Sequence, residues 1–134
     1  SRRQRQMCIR DRMYAYLLTG KDVYLTNAYR NMDYILGRNA TGFCYVTGLG
    51  TKSPKHPHHR LSVSDDIEDP IPGFLVGGPN PGQQDGAFYP TASPDESYVD
   101  TEDSYASNEV AINWNAALVA LASSLDALAV YSVK

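Results

Sequence analysis

Acidic and aromatic side chains are concentrated in one short stretch of the chain, between Tyr98 and Ala116. Asp100 and Glu109 are the acids of most interest, and Tyr105 lies between them. Cleavage of a glycosidic bond needs a carboxylic acid that donates a proton to the leaving oxygen, and flat rings can carry the faces of sugars. The stretch therefore indicates sugar-cleaving chemistry centred on Glu109 and Asp100.

The spacing within this stretch resembles the C-terminal motif of glycoside hydrolase family 9, the endoglucanases and related cellulases. The matching positions are Tyr98, Asp100, Tyr105, Glu109, Ala111, Asn115 and Ala116. Four shorter motifs upstream are similar to the same family in the same order. They read D-Y-I-L-G from Asp33, Y-V-T-G-L-G from Tyr45, P-H-H-R from Pro57 and G-G-P-N from Gly77, so the likeness covers residues 33 to 130.

The resemblance implies that internal β-1,4-glucosidic bonds of cellulose are hydrolysed by an inverting mechanism, with Glu109 as the general acid. A separate Asp then activates water on the opposite face of the sugar, with the two carboxyl groups ~6.5 to 9.5 Å apart. In the family this base belongs to an Asp-Ala-Gly-Asp motif near the start of the domain, and the motif does not occur in this chain. The chain is therefore expected to carry the acid without the base and to be inactive alone.

The same resemblance assigns roles to four further residues. Asp100 is grouped with the catalytic residues and is expected to orient the acid and the sugar or to support them electrostatically. His58, also grouped with the catalytic residues, and Arg60 form the H-x-R of the family motif, which hydrogen bonds the sugar next to the scissile bond. Arginine offers a rigid fork of donors and histidine a switchable donor and acceptor, both suited to sugar hydroxyls. Tyr105 is expected to contact the same subsite.

Two clusters within the loops invite a metal interpretation. The three His residues, at positions 56, 58 and 59, lack the helical spacing of an HExxH site and the Cys pairs of a structural zinc site. The acids between Asp65 and Asp69 lack the alternating spacing of an EF-hand loop, so a solvated turn is favoured over a calcium site. We expect neither a metal nor a cofactor, and we interpret His56 and His59 as exposed loop residues.

The charge pattern limits the choice of partners. The net charge is −3, no Lys or Arg occurs from Leu61 to Val133, and eleven of the 15 acids lie between Asp65 and Glu109. This negative field helps a carboxylic acid to stay protonated and gives no reason to expect nucleic acid as a partner. The longest apolar run, Val110 to Val133, is interrupted by Asn113, Asn115, Ser123, Ser124 and Asp126, so no membrane span is expected. The resemblance implies an extracellular, secreted enzyme.

Residues 1–12 hold five Arg residues and show no apolar period. A basic arm for nucleic acid and a disordered tail are two interpretations of this segment. The third, which we favour, is an extraneous segment translated from adapter sequence at the end of a truncated reading frame. Residues 13–134 then form the C-terminal fragment of a family 9 catalytic domain, because such domains are several times longer than this chain.

Two helices are predicted in the first third of the chain. The run from Met13 to Leu18 is followed by Thr19 and Gly20 and is typical of the last turns of a helix that a Gly stops. Asp22 is expected to cap a second helix, whose apolar residues recur at helical spacing until Gly37 stops it. The long stretch 38–97, which is rich in Pro and Gly, is expected to form loops that line a cleft.

The last helix is predicted to begin near Ser104 or Ser107 and to end near Tyr131, with Glu109 in its first turn. The helix dipole favours an ionised carboxylate there, whereas a general acid must hold its proton. Apolar residues cover most faces of this helix, which predicts an inner helix with Trp114 in the core. The fold class is therefore mainly α, and the resemblance implies the C-terminal part of an (α/α)6 barrel with long cleft-forming loops.

A rival interpretation comes from a different functional class. The chain would be a non-catalytic carbohydrate-binding or scaffold fragment, and its acids would be surface residues without a catalytic role. The two interpretations differ in what they predict for Glu109, which is essential to hydrolysis in the first and dispensable in the second.

Overall fold

The computed structural model describes the backbone of residues 2–131 and the side chains of residues 11–130. Four helices occur in this part of the chain: α1 (Arg2–Thr19), α2 (Asp22–Ile35), α3 (Arg60–Ser64) and α4 (Ile112–Tyr131). Long irregular segments connect α2 to α3 and α3 to α4. Within the described residues these segments form isolated β-bridges but no strand, so the predicted mainly α composition is confirmed.

Helix α1 begins at Arg2 and therefore includes most of the segment that the sequence analysis set aside. The structure differs here from a disordered tail, because Arg, Gln and Met favour a helix even where no apolar stripe is present. The extraneous origin of residues 1–12 stays a prediction. The helix ends at Thr19, as predicted, and the next residue, Gly20, has a positive φ of 66° and donates its N–H to Tyr16 O at 2.7 Å.

Helix α2 begins at Asp22, and Lys21 occupies the capping position without a side-chain cap hydrogen bond. The prediction that Asp22 caps this helix is therefore wrong by one position. In the first turn the carboxylate of Asp22 still interacts favourably with the positive end of the helix dipole. The predicted stop is confirmed, because α2 ends at Ile35 and Gly37 adopts a positive φ of 115°.

Three helices pack together around a small apolar cluster. Met13 of α1, Ala28 of α2, and Leu121 and Leu125 of α4 are each at most 7% exposed. Helix α4 therefore lies against both N-terminal helices, although a long loop region separates them in the sequence. Burial of these side chains is the force that brings the two ends of the chain together.

A second apolar cluster joins the long loops to helices α2 and α4. Tyr45, Val46, Leu75 and Val76 lie at its centre, each at most 8% exposed, and Trp114 of α4 belongs to the same cluster. The backbone is tied here as well, because Val76 N–H donates to Tyr45 O at 3.0 Å. Trp114 is thus a core residue, as the sequence predicted.

Helix α4 buries only one side in this chain. Leu121 and Leu125 are buried, whereas Ile112, Val119 and Val130 are 91%, 63% and 59% exposed. The predicted burial on most faces is therefore wrong for this chain by itself, because α1 and α2 cover one face only. By length and composition alone α4 would be able to cross a membrane, but the core helix of a soluble protein meets the same criterion. The exclusion of a membrane span stays a prediction.

Candidate functional site

Backbone pairing holds His58 and Glu109 side by side in a parallel bridge. The N–H of His58 donates to Asn108 O at 2.9 Å, and the N–H of Val110 donates to His58 O at 3.4 Å. Val110 is in turn bridged to Val76 of the central apolar cluster. The candidate acid and the first residue of the H-x-R motif are therefore neighbours, and both are fixed to the core.

Glu109 lies before the first residue of α4, Ile112, so the prediction that it occupies the first helical turn is wrong. Side chains of the preceding segment bond to the backbone and keep it out of the helix. Ser104 Oγ accepts from the Ser107 N–H at 3.1 Å, and Ser107 Oγ accepts from the Val99 N–H at 3.3 Å. Glu109 is therefore part of the loop that leads into α4 and not of the helix itself.

Both oxygens of Asp100 accept hydrogen bonds from the loop 52–60, which carries the three His residues and is called the His loop below. Oδ2 accepts from the Lys55 N–H at 2.7 Å, and Oδ1 accepts from the His56 N–H at 3.0 Å. Oδ1 also accepts from the side-chain amide of Asn108 at 2.9 Å. Asp100 therefore ties the His loop to the segment before Glu109. Its expected role, to orient or electrostatically support the acid and the sugar, stays a prediction.

Asn108 is a buried connecting residue that the sequence analysis missed. It has no exposed surface, and its Nδ2 donates to His56 O at 2.7 Å as well as to Asp100. Its Oδ1 accepts from Tyr98 OH at 2.6 Å. Burial, aided by the charge of Asp100, raises the pKa of the Tyr98 phenol, so this hydroxyl remains a donor. The only signal in the sequence was the place of Asn108 directly before the candidate acid.

The His58 ring is oriented by a backbone carbonyl. Its Nδ1 lies 2.5 Å from Glu102 O, and because a carbonyl oxygen only accepts, Nδ1 carries the proton. In the neutral ring Nε2 is then an acceptor, which suits a sugar hydroxyl. The Tyr105 ring lies edge-on to this imidazole, with the ring centroids 6.3 Å apart. His58 and Tyr105 therefore come together, as the sequence predicted for residues of one subsite.

Arg60 is the exposed first residue of α3 and follows an extended residue. His59 has φ −145° and ψ 109°, and residues on either side of an extended residue point to the same side, so the side chains of His58 and Arg60 leave the chain in a similar direction. The interpretation of His59 as an exposed loop residue is wrong, because its ring packs against Phe74 at 5.0 Å and is half-buried. His56 is exposed, as predicted.

Two polar side chains of the site are free to meet a ligand. Glu109 is half-buried and Arg60 is exposed. In the part of the chain that the structure describes, neither side chain forms a hydrogen bond or an ion pair with another residue. A carboxyl group and a guanidinium are thus available to a ligand.

The clusters that invited a metal interpretation do not converge. Among the residues whose side chains are described, no group of three or more His, Cys, Asp or Glu residues lies close enough to hold a metal ion. Instead, Asp69 pairs with Lys55 at 2.6 Å, and this hydrogen bond and charge raise the pKa of the Lys55 ammonium. The acidic turn is therefore fastened to the His loop by a surface ion pair.

A cavity of about 590 Å³ lies next to the site, on the side of Asp100. Phe43, Lys52 and Tyr98 line it together with Glu96, whereas His58 and Glu109 do not. Of the three residues that the sequence predicted for catalysis, Asp100 alone lines this cavity.

Comparison with known proteins agrees with the motifs. The sequence model of Glycosyl hydrolase family 9 matches residues 5–122. A xyloglucan-specific endo-β-1,4-glucanase of Bacteroides ovatus is 98% identical over 122 residues, which cover 91% of this chain and 21% of that protein. Endoglucanase D of Acetivibrio thermocellus is 45% identical over 96 residues, which cover 72% of this chain and 13% of that protein. The chain thus spans about a fifth or less of these relatives.

A solved structure shares the arrangement of the helices and loops. The complex of AaCel9A with a cellobiose-like isofagomine is similar to this chain with a TM-score of 0.79 and 41% sequence identity. The match covers 90% of this chain and 24% of that one. Sequence motifs, family match and fold agree, and the chain therefore belongs to glycosyl hydrolase family 9.

Proposed function

We propose that this chain supplies the general acid of an endo-β-1,4-glucanase, and that Glu109 is that acid. One observation carries the proposal: the bridge to His58 fixes Glu109 at the site, and its carboxyl group has no partner among the described residues. The names of the two relatives support the same reaction, because both are endoglucanases.

The proposed reaction is an inverting hydrolysis. Glu109 donates its proton to the glycosidic oxygen, the bond from the anomeric carbon to that oxygen breaks, and the bonding electrons leave with the oxygen. A water molecule attacks the anomeric carbon from the opposite face, and a carboxylate base takes the proton that the water loses. This base comes from a part of the protein outside the chain, so residues 1–134 alone are expected to be inactive.

The remaining site residues bind and orient the sugar in this proposal. Nε2 of His58 accepts from a hydroxyl, and the guanidinium of Arg60 donates to oxygens of the sugar next to the scissile bond. Tyr105 contributes the edge of the subsite beside His58. Asp100 supports the acid through the His loop, to which it is hydrogen bonded.

The substrate is a β-1,4-linked glucan. The relative that is 98% identical is named as specific for xyloglucan, whose backbone carries this linkage, and we take xyloglucan as the first substrate to test. Cellulose, the substrate implied by the sequence motifs, is the second. The cellobiose-like isofagomine bound to the similar solved structure supports a glucan site.

The chain is proposed to be the C-terminal part of an (α/α)6 barrel in a secreted enzyme. The support for a larger domain is the apolar surface that α4 exposes, including Ile112 and Val119, at 91% and 63% exposure. Further helices of the same domain would cover this surface. Secretion fits a polymeric substrate that is found outside cells.

The test uses the full-length enzyme and the variant Glu109→Gln, which keeps the shape of the side chain and removes the acid. We expect hydrolysis of xyloglucan to fall by ~10²- to 10⁴-fold, the range usual for general acid catalysis, with glucan binding retained. Glu68→Gln, an exposed acid of the same charge outside the site, is the matched control. Substantial turnover by Glu109→Gln would instead favour the non-catalytic carbohydrate-binding alternative.

A further inference from the structure

Asp85 lies in the loop that follows the G-G-P-N motif, and its carboxylate accepts four hydrogen bonds. Oδ2 accepts from Tyr89 OH at 2.8 Å, from Ser104 Oγ at 2.7 Å and from Ala106 N–H at 2.8 Å. Oδ1 accepts from Ala87 N–H at 3.2 Å. Ser104 and Ala106 have no exposed surface. The carboxylate thus fastens a buried part of the segment that leads to Glu109.

Two residues near Asp85 in the sequence hold the same segment. The hydroxyl of Tyr105 donates to Gln84 O at 2.9 Å, and Nδ2 of Asn80 donates to Ala106 O at 3.1 Å. Both backbone groups of Ala106 are therefore bonded to this loop, one through Asp85 and one through Asn80. The ring of Tyr105 is fixed at its outer end.

Two backbone hydrogen bonds connect the segment that Asp85 holds to Glu109. The N–H of Asn108 donates to Ser104 O at 3.0 Å, and Asn108 O accepts from the His58 N–H at 2.9 Å. Glu109 is the next residue. A shift at Ser104 would therefore pass through one turn of chain to both Glu109 and the bridge with His58.

The carboxyl group of Asp85 is held in its ionised form. Burial raises its pKa, but the hydrogen bonds from Ser104, Tyr89 and the amides of Ala106 and Ala87 outweigh burial and lower the pKa below the ordinary 3.8. At the neutral and mildly acidic pH of most hydrolases this group accepts hydrogen bonds and has no proton to give.

We propose that Asp85 is a positioning residue for the proton transfer that Glu109 performs, an inference that rests on the proposed function. Asp85 touches neither Glu109 nor the expected place of the sugar, and it acts through Ser104 and Tyr105. It sets the position of the acid and of the subsite ring relative to the glycosidic oxygen. A displacement of ~1 Å at a reacting group lowers the rate on the order of 10²-fold.

Asparagine cannot replace this carboxylate. The N–H groups of Ala106 and Ala87 donate to different oxygens of Asp85, and backbone donors cannot reverse their role. An amide at position 85 would turn its own NH₂ toward one of these donors in either orientation. Asp85→Asn therefore breaks at least one of the hydrogen bonds that hold Ala106 and Ala87, while it leaves the size of the side chain unchanged.

The experiment compares two substrates of the full-length enzyme. Cleavage of a xyloglucan oligosaccharide needs a proton on the leaving oxygen, whereas an aryl β-cellobioside with a dinitrophenolate leaving group departs without one. For Asp85→Asn we expect kcat on the oligosaccharide to fall on the order of 10²-fold. On the aryl substrate, the factor by which kcat falls should be several times smaller than on the oligosaccharide. Asp95→Asn, an exposed acid of the same loop region, should match the parent on both substrates.

Tyr89→Phe provides a milder second variant in case Asp85→Asn does not fold. It removes one of the donors to Asp85. Its kcat should again fall more on the oligosaccharide than on the aryl substrate, with smaller losses on both than for Asp85→Asn. Equal losses on both substrates in the folded variants would overturn the inference and leave Asp85 as a residue that only stabilises the loop. Glu109→Gln is measured in parallel: if it retains hydrolysis of the oligosaccharide, the proposed function itself is wrong.

Discussion

The side chain of Asn115 pairs with both backbone groups of Leu75, as a neighbouring strand would. The Leu75 N–H donates to Asn115 Oδ1 at 2.8 Å, and Asn115 Nδ2 donates to Leu75 O at 3.1 Å. Leu75 is 8% exposed and is bridged to Val46 on its other side. One amide group therefore connects the first turn of α4 to Leu75 in the apolar cluster of the long loops.

Asn115→Asp should destabilise the full-length protein. The substitution replaces the donor to Leu75 O by a carboxylate oxygen, so that two acceptors face each other in a partly buried place. We expect the free energy of unfolding to fall by ~1 to 3 kcal/mol, measured by thermal or urea unfolding. Asn27→Asp makes the same change at a hydrogen bond exposed to water, with Val23 O, and should have little effect. Equal losses for the two variants would contradict this account.

Tyr98→Phe should weaken the connection between the His loop and the acid. The variant leaves the buried Oδ1 of Asn108 without the donor that now lies 2.6 Å away. An unsatisfied buried acceptor costs ~1 to 3 kcal/mol, and we expect a loss of stability of this size in chemical unfolding. Tyr29→Phe, at an exposed position of α2, is the control and should leave the unfolding midpoint unchanged. A stability of Tyr98→Phe equal to that of the parent would show that the bond contributes nothing.

Asp85 should make the stability depend on pH in the acid range. Its pKa is lower in the folded protein than the ordinary 3.8, because four hydrogen bonds outweigh the effect of burial. The unfolded chain therefore binds the proton more readily, so the carboxylate stabilises the fold above 3.8 and loses this contribution as the pH falls through the folded pKa. We expect Asp85→Asn to start from a lower melting temperature at neutral pH and to lose less on acidification. Parallel acid slopes for parent and variant would be the contrary result.

Arg60→Lys should raise KM for xyloglucan oligosaccharides. A lysine ammonium keeps the charge but cannot present the planar fork of donors that a sugar would use. We expect a loss of ~1 to 3 kcal/mol in binding, which is about fivefold to 150-fold in KM, from steady-state kinetics of the full-length enzyme. Arg38→Lys changes an exposed arginine that pairs with Asp33 away from the site, and its KM should stay that of the parent.

Residues 1–134 by themselves should not show a sharp, cooperative thermal transition in near-UV circular dichroism. The reason is the apolar surface of α4, on which Ile112, Val119 and Val130 are each at least 59% exposed. Such a surface favours loose packing or association over a single ordered state. A cooperative melt of the isolated chain would show that two apolar clusters are enough to order it.

The helices were easier to predict than the site, and the reason is physical. Apolar spacing and glycine stops are local signals, and they located the end of α1 and nearly all of α2. The start of α4 was misplaced because Ser104 and Ser107 bond their side chains to the backbone, which depends on the distant Asp85. The motifs grouped His58, Tyr105 and Glu109, and these residues are neighbours in the structure, whereas the roles that the motifs imply for them stay predictions. The connecting role of Asn108 could not be read from the sequence, because it depends on the fold that brings His56, 52 residues away, next to the segment 98–108.

The bonds between His58 and the segment 108–110 run from main chain to main chain. Donors and acceptors of this kind are the same for every amino acid except proline. Neighbouring side chains, such as those at positions 59 and 110, can therefore change through evolution without altering the register between residue 58 and residue 109. Substitutions around the site can accumulate on such a scaffold while the backbone that carries Glu109 stays where it is.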